Sequence, residues 1–88
     1  MEKRFTRTEL LLGKEALNRL AASSVAIAGL GGVGAYAAEA LVRSGVGYVR
    51  LIDFDCIKYS NFNRQLLALE DSLGKRKVDV AAERLRQI

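Results

Sequence analysis

A glycine-rich segment follows a short apolar run in the first half of the chain. It reads SSVAIAGLGGVG, and Gly29, Gly31 and Gly34 have the spacing G-x-G-x-x-G. Such a turn lets the backbone approach a phosphate closely, and the helix after it offers N–H groups without intrahelical acceptors. Asp53 stands 19 residues after Gly34, where a carboxylate can hold ribose hydroxyls. The segment predicts nucleotide binding; the alternative is a glycine turn that only permits tight packing of a helix on a strand.

A second group of polar residues follows Asp53, in the segment DFDCIKYSNFNRQ. It contains Asp55, Asn61 and Arg64, and Lys77 comes 13 residues after Arg64. Arginine gives phosphate oxygens a fixed fork of donors, and a lysine at a helix start adds charge where the helix dipole favours anions. These groups would stabilise charge as pyrophosphate leaves, which favours an enzyme that splits ATP between its α- and β-phosphates. Asp55 is either close to a metal or phosphate or an exposed turn carboxylate.

The hydrophobic pattern predicts the elements that must position these residues. Helical spacing over 8–22 predicts two short helices separated by Gly13, and further helices are expected over 33–44 and from about Lys75 onward. Strands are expected over 25–28 and 48–53, and the second is apolar on both faces, which is typical of a buried parallel strand. The predicted fold class is α/β: a Rossmann-like parallel sheet with helices, the N-terminal part of a larger doubly wound domain.

Three segments are expected: a helical arm over 1–22, a βαβ unit over 24–53, and a phosphate loop with a helix over 54–88. Ser72 is predicted to cap the last helix. The predicted core face of the first long helix consists of Val33, Ala37, Ala40, Leu41 and Ser44. Two parallel strands with their helices cannot cover both faces of a sheet, so we expect a piece of a larger enzyme. The alternative is a small protein that completes its core by oligomerising.

Composition and charge exclude several classes of protein. The 88 residues allow one domain at most, and a single cysteine, Cys56, excludes a disulfide framework and zinc fingers. We interpret Cys56 as a buried small apolar side chain. The net charge of +4 fits a polyanionic ligand such as ATP or RNA, or a solvated basic surface. No apolar run approaches the roughly 20 residues of a membrane helix, so a cytoplasmic protein without a membrane partner is expected.

At these residues the chain resembles the HesA/MoeB/ThiF family of adenylating enzymes, which is related to the ubiquitin-activating enzymes. The resemblance runs from Arg4 to Ile88. It rests on the G-x-G-G-x-G turn, the D-x-D after the second strand, the N-x-x-R-Q segment and the later lysine, in family order and spacing. The resemblance implies an ATP site formed by Gly29, Gly31, Gly32, Gly34, Asp53, Asp55, Asn61, Arg64 and Lys77.

Within that site, the resemblance implies that Asp53 holds the ribose and that Asn61, Arg64 and Lys77 contact the phosphates. Arg7, in the segment RFTR, matches an arginine that reaches across a homodimer interface to the partner's ATP. Mg²⁺ would be held by an aspartate downstream of this chain. The 88-residue chain alone is therefore expected to be inactive.

Two segments, NFNRQ with the following Ala68-Leu69 and the ending AERLRQI, resemble the tRNA threonylcarbamoyladenosine dehydratase branch of the family. This branch adenylates the carboxylate of a threonylcarbamoyl group on tRNA adenosine, and loss of AMP then closes a cyclic form. Three alternatives stay open. They are adenylation of the C-terminus of a ubiquitin-like sulfur-carrier protein, an NAD(P)-binding oxidoreductase domain, and a truncated fragment without catalytic activity. Arg64 together with Lys77 argues against the oxidoreductase.

Overall fold

The computed structural model describes residues 3–88. In chain order, its helices and strands are α1 (Thr6–Leu12), α2 (Lys14–Ala21), β1 (Ser24–Ala28), α3 (Gly34–Arg43), β2 (Tyr48–Ile52) and α4 (Lys77–Leu85). Short 3₁₀ turns lie at Lys3–Phe5, Tyr59–Asn61 and Glu70–Ser72. Gly13 separates α1 from α2 with φ of +86°, as the sequence predicts. Residues 1 and 2 of the predicted helical arm lie outside the described residues.

The two strands pair in parallel, as predicted, with Ser24 opposite Tyr48 and Ala28 opposite Ile52. Exposed and partly buried residues alternate along both strands. The prediction that β2 is buried on both faces is therefore wrong for the described residues. The reason is that α3 and α4 pack against one face of the sheet only, the face that carries Ile27 and Leu51.

The core lies between this face of the sheet, α3, α4 and the segment that joins β2 to α4. Its buried residues are Leu30, Ala35, Ile57, Leu67, Ala68 and Ala81. On α3 the buried residues are Ala35 and Ala38, whereas Val33 is 82% exposed, so the predicted core face of this helix is wrong. The helix approaches the sheet so closely that small side chains occupy its inner face. Residue size, more than hydrophobicity, decides which side of α3 is buried.

The segment between β2 and α4 folds back on itself. Cys56 and Arg76 form an antiparallel bridge, and the Ile57 N–H donates to the Lys75 carbonyl at 2.9 Å. This pairing brings the start of α4 beside the end of β2. Cys56 is exposed, which overturns its interpretation as a buried side chain, because the neighbouring Ile57 takes the core position at 2% exposure.

The last helix begins at Lys77, two residues later than predicted, and Ser72 does not cap it. The Ser72 hydroxyl instead donates to the Leu67 carbonyl at 2.6 Å and accepts from the Leu69 N–H at 2.9 Å. Arg76 occupies the N-cap position without a side-chain cap. Within residues 3–88, no helix combines the length and apolar character needed to cross a membrane.

Candidate functional site

The glycine turn joins β1 to α3, and its glycines differ in their structural roles. Gly29 has φ of +95°, and its N–H donates to the Ile52 carbonyl at 2.7 Å. A Cβ on Gly34 would stand 1.7 Å from the Gly29 carbonyl oxygen. These two glycines are therefore needed for the turn itself, as the packing interpretation of the motif requires. At Gly31 and Gly32, by contrast, a Cβ would make only ordinary contacts of 3.7 and 3.8 Å with side chains.

The turn and the first turn of α3 present a row of backbone donors. The N–H groups of residues 31–36 have no acceptor among the residues that the structure describes. The first hydrogen bond of the helix ladder is made by Ala37, whose N–H donates to the Val33 carbonyl at 2.9 Å. Unpaired N–H groups at a helix N-terminus, together with the helix dipole, favour an anion. This arrangement is what the sequence predicts for a phosphate site.

Asp53 connects the end of β2 to this turn. One carboxylate oxygen accepts from the Leu30 N–H at 2.8 Å, and the other accepts from the Asp55 N–H at 2.7 Å. Burial raises the pKa of Asp53, but the two N–H bonds and the charge of Lys77 outweigh it and hold the pKa below its ordinary value. The carboxylate is therefore ionised and fixed at the glycine turn, and each oxygen keeps further lone pairs for a hydroxyl group.

Lys77 is the first residue of α4 and is only 5% exposed. Its peptide N–H donates to the Asp55 carbonyl at 3.0 Å, which ties the helix start to the end of β2. Its ammonium group makes no hydrogen bond or salt bridge with any residue from 3 to 88. A buried cation without a direct partner is costly, and the position of Lys77 near Asp53 at the start of α4 is one that an anionic ligand would suit.

Arg64 and Asn61 lie in the segment that covers the glycine turn. The side-chain stem of Arg64 passes over Gly32, and its guanidinium donates to the Ser60 carbonyl at 3.2 Å and to Asn63 Oδ1 at 2.8 Å. Asn61 is buried, and its Oδ1 accepts from the Lys58 N–H at 2.9 Å. The amide oxygen of Asn61 therefore stabilises the segment, while Arg64 stands exposed above the turn.

Two further predicted site residues are less integrated into this site. The side chain of Asp55 is exposed, and its backbone supplies the contacts with Asp53 and Lys77. Arg7 is exposed on α1, which packs against α2 and the Lys3–Phe5 turn. It forms no hydrogen bond or ion pair within the described part of the chain. Within one chain, the structure does not bring Arg7 to the glycine turn.

Sequence reasoning missed Gln65 as a separate residue of the site. Its side chain is buried at 8% exposure, and a Cβ on Gly31 would stand 3.7 Å from its Nε2. The only signal in the sequence is its position after Arg64 in the N-x-x-R-Q segment. Side-chain packing on the glycine turn cannot be inferred from that position alone.

A link between α3 and α4 was missed as well. Glu39 accepts from Arg84 at 2.5 Å and from Arg43 at 3.1 Å, and the Arg84 bond lowers the pKa of Glu39. The Glu39–Arg43 pair on one helix is predicted by its i, i+4 spacing. The bond to Arg84 depends on how the two helices pack. It joins α3, whose first N–H groups have no acceptor within residues 3–88, to α4, whose first residue carries the Lys77 ammonium group.

The site is open and does not coincide with an enclosed cavity. A cavity of about 760 Å³ lies elsewhere, against Leu66, Ser72, Val80 and Gln87, and none of the predicted site residues lines it. Among residues 3–88, no group of three or more His, Cys, Asp or Glu side chains is arranged to hold a metal ion. The site is therefore defined by its donors and by Asp53.

Comparison with known proteins identifies the family. The ThiF family model matches residues 5–88. The tRNA threonylcarbamoyladenosine dehydratase of Bacillus subtilis (strain 168) is 50% identical over 88 residues, which are 100% of this chain and 35% of the relative. The adenylyltransferase and sulfurtransferase MOCS3 of Drosophila willistoni is 44% identical over 80 residues, covering 89% of this chain and 18% of the relative.

A solved structure is similar over nearly the whole chain. The crystal structure of Escherichia coli tRNA N6-threonylcarbamoyladenosine dehydratase in complex with ATP is 47% identical, with a TM-score of 0.94. The match covers 97% of this chain and 35% of that one. The chain belongs to the ThiF family, which contains ATP-dependent adenylating enzymes. The family resemblance and the Rossmann-like α/β fold predicted from the sequence are thus confirmed.

Proposed function

We propose that the protein binds ATP at the glycine turn and adenylates a carboxylate. The observation that carries this proposal is the set of donors without acceptors at one end of the sheet: the N–H groups of residues 31–36 and the buried Lys77 ammonium. All of them suit phosphate oxygens. The ATP complex of the Escherichia coli structure, which matches this chain at a TM-score of 0.94, supports the choice of nucleotide.

Four of the predicted residues receive a role in this part of the proposal. Asp53, already ionised and fixed, holds the ribose hydroxyls; Arg64 and Lys77 hold the phosphates and neutralise charge as pyrophosphate leaves. A carboxylate oxygen of the acceptor attacks the α-phosphorus, and the bond to pyrophosphate breaks. The protein contributes mainly by positioning the reactants. Asn61 contributes through the covering segment, with its amide nitrogen as a further donor to phosphate.

The acceptor that we propose is a threonylcarbamoyl group on tRNA adenosine. The 50% identity to the Bacillus subtilis dehydratase over the whole chain supports this choice. Adenylation of the carboxylate would be followed by loss of AMP as a ring closes, with the net loss of one water. The second candidate is the C-terminus of a ubiquitin-like sulfur-carrier protein, which the 44% identity to the adenylyltransferase and sulfurtransferase from Drosophila willistoni favours.

The proposal includes a homodimer, in which Arg7 of one subunit reaches the ATP of the other. The support is the exposed position of Arg7 on α1, where it forms no hydrogen bond or ion pair with residues 3–88. The proposal also includes Mg²⁺, with a carboxylate ligand outside this chain, and a cytoplasmic location. Because the chain spans 35% of its Bacillus subtilis relative, the activity is proposed for the protein in its full natural length.

The test supplies the purified protein with ATP and either of two acceptors. With tRNA that carries threonylcarbamoyladenosine, we expect release of AMP and a nucleoside lighter by one water in mass spectrometry. A sulfur-carrier protein ending in Gly-Gly should not replace the tRNA. Attachment of AMP to that carrier, with the tRNA unchanged, would keep the adenylation chemistry and reject the tRNA substrate.

A further inference from the structure

Two arginines from different helices share one carboxylate away from the glycine turn. Arg43, the last residue of α3, donates its Nε–H to Glu39 at 3.1 Å. Arg84 of α4 donates to the same carboxylate through Nε at 2.5 Å and through Nη2 at 3.4 Å. The side chain of Glu39 is only 16% exposed, whereas those of Arg43 and Arg84 are 60% and 40% exposed. The carboxylate therefore holds two accessible guanidinium groups side by side.

The bonds to Glu39 leave most donors of both arginines unused. Both Nη groups of Arg43 and Nη1 of Arg84 have no acceptor among the residues that the structure describes. A guanidinium presents its N–H donors in a planar fork that fits two oxygens of a phosphate group. Two guanidinium charges and one carboxylate also leave a positive charge unbalanced. The arginine pair is thus an oriented set of donors with a surplus of positive charge.

Both arginines line the cavity of about 760 Å³, which lies outside the proposed ATP site. Two carboxylates, Asp71 and Glu83, also line this cavity, but within residues 3–88 neither pairs with Arg43 or Arg84. Clefts of this volume are large enough for a small molecule, and hence for a phosphate with its attached sugar. The unused donors of the arginine pair are therefore accessible to an anionic group.

The two helices set the distance of the arginine pair from the proposed ATP site. Because α3 runs from Gly34 to Arg43, Arg43 lies about 14 Å along the helix from the glycine turn, at about 1.5 Å per residue. Arg84 lies about 10 Å along α4 from Lys77. Stacked nucleotides of one strand rise roughly 3.4 Å each, so these lengths correspond to about three to four nucleotides. An RNA that reacts at the ATP site can therefore reach the arginine pair with its backbone.

We propose that Arg43 and Arg84 bind a backbone phosphate of the tRNA acceptor, about three to four nucleotides from the adenosine that reacts. This inference rests on the proposed function and adds a binding surface for the acceptor outside the ATP site. Contacts to phosphate fix the position of a nucleic acid and carry no sequence information. Glu39 is a positioning residue, because it holds the two guanidinium groups in place and does not itself contact the RNA.

The experiment measures binding of tRNA that carries threonylcarbamoyladenosine to the purified full-length protein at several salt concentrations. The kinetics of AMP release, ATP binding and thermal unfolding are measured beside it. Arg43→Gln and Arg84→Gln each remove one guanidinium charge, and Arg43→Lys keeps the charge without the planar fork. Arg86→Gln is the matched control, because Arg86 is an exposed arginine at the end of α4 that lines a different, smaller cavity.

For Arg43→Gln and Arg84→Gln we expect the Kd for tRNA to rise about three- to tenfold near physiological salt. The slope of log Kd against log salt concentration should fall by about one, the effect of losing one phosphate contact. The KM for tRNA should rise with the Kd, while kcat and the Kd for ATP stay at the wild-type level, because the contact is the same in the ground state and the transition state. Arg43→Lys should keep the wild-type salt slope, and Arg86→Gln should change none of these quantities.

An unchanged Kd and salt slope in Arg43→Gln, beside a wild type that binds and modifies the tRNA, would overturn the arginine site and leave the proposed function intact. Arg43→Gln decides because its bond to Glu39 lies within one helix, whereas Arg84 also ties α3 to α4. An equal loss of tRNA affinity in Arg86→Gln would overturn the site as well, because binding would then follow overall charge. A wild-type protein that binds no tRNA would instead overturn the proposed acceptor, and this inference with it.

Discussion

The carboxylate of Asp53 accepts the peptide N–H of Leu30 at 2.8 Å and so fastens the end of β2 to the glycine turn. The bond forms part of the fold as well as of the proposed ribose site. Replacing Asp53 therefore has two separable effects, one on stability and one on nucleotide binding.

The first prediction concerns the pH dependence of stability. Because the folded-state pKa of Asp53 is lowered, its contribution to stability is present above the unfolded-state pKa of about 3.9 and is lost as the pH falls through the lower folded-state value. Asp53→Asn should thus be less stable than wild type at neutral pH, and the difference should shrink below about pH 4. Urea unfolding between pH 7 and 3 measures this. Asp71→Asn, at an exposed carboxylate, is the control, and a pH-independent difference for Asp53→Asn would contradict the prediction.

The second prediction compares the same substitution at the buried Lys77 and at the exposed Lys75. Lys77→Met should lower the rate of adenylation about 10²- to 10³-fold, comparable to the loss of one transition-state donor. The same change should leave stability unchanged or raise it, because the buried ammonium lacks a direct partner within residues 3–88. Lys75→Met alters an exposed lysine two positions earlier and serves as the control. AMP release and thermal unfolding are measured together. Near-normal turnover of Lys77→Met would remove Lys77 from the phosphate site.

A third prediction distinguishes two glycines of the same turn. Gly34→Ala places a methyl group 1.7 Å from the Gly29 carbonyl oxygen, so the turn must deform, at a cost of about 3 kcal/mol of unfolding free energy. Gly32→Ala brings a methyl group only into ordinary contact with the stem of Arg64 and should fold normally. Denaturant unfolding of both variants compares the two costs. Equal stability of the two variants would be incompatible with the close approach of α3 to the turn.

The fourth prediction tests action of Arg7 across a subunit interface. Arg7→Ala and Lys77→Ala proteins should each be weakly active, but a mixed dimer has one site with both groups intact. After subunit exchange, an equal mixture should regain about a quarter of the wild-type rate, since half of the dimers are mixed and each has one intact site. Native mass spectrometry checks the exchange. Complete exchange without recovery of AMP release would argue that Arg7 does not act in trans.

The sequence predicts the strands, the glycine turn and the parallel pairing because these depend on local patterns. The G-x-G-x-x-G spacing requires a β–turn–α connection. The short apolar runs beside this connection are therefore predicted to be strands of one sheet. The break between α1 and α2 is likewise predicted from a local signal, the single residue Gly13. For the site, the glycine turn and Asp53 come together as expected, since both lie at the carboxyl ends of neighbouring parallel strands.

The errors concern packing, which a local pattern does not contain. Ala35 and Ala38 are buried on α3 because the helix lies very close to the sheet, and nothing in the hydrophobicity of Val33 reveals that distance. Ser72 is a good cap by residue type, yet its hydroxyl is used by Leu67 and Leu69. The position of Gln65 was missed for the same reason, because its side chain packs against the glycine turn, which belongs to another part of the chain.

The parallel pairing of β1 with β2 has a consequence for how the molecule folds. Each residue of β1 pairs with the residue 24 positions further along the chain, so no tight turn can start the ladder. The intervening helix forms locally and fast, whereas the strands must find each other across a closed loop. A slip by one residue would turn every side chain of β2 to the other face and carry Asp53 away from Leu30. Registration of the two strands is thus the folding event that brings Asp53 to the glycine turn and so creates the proposed ribose site.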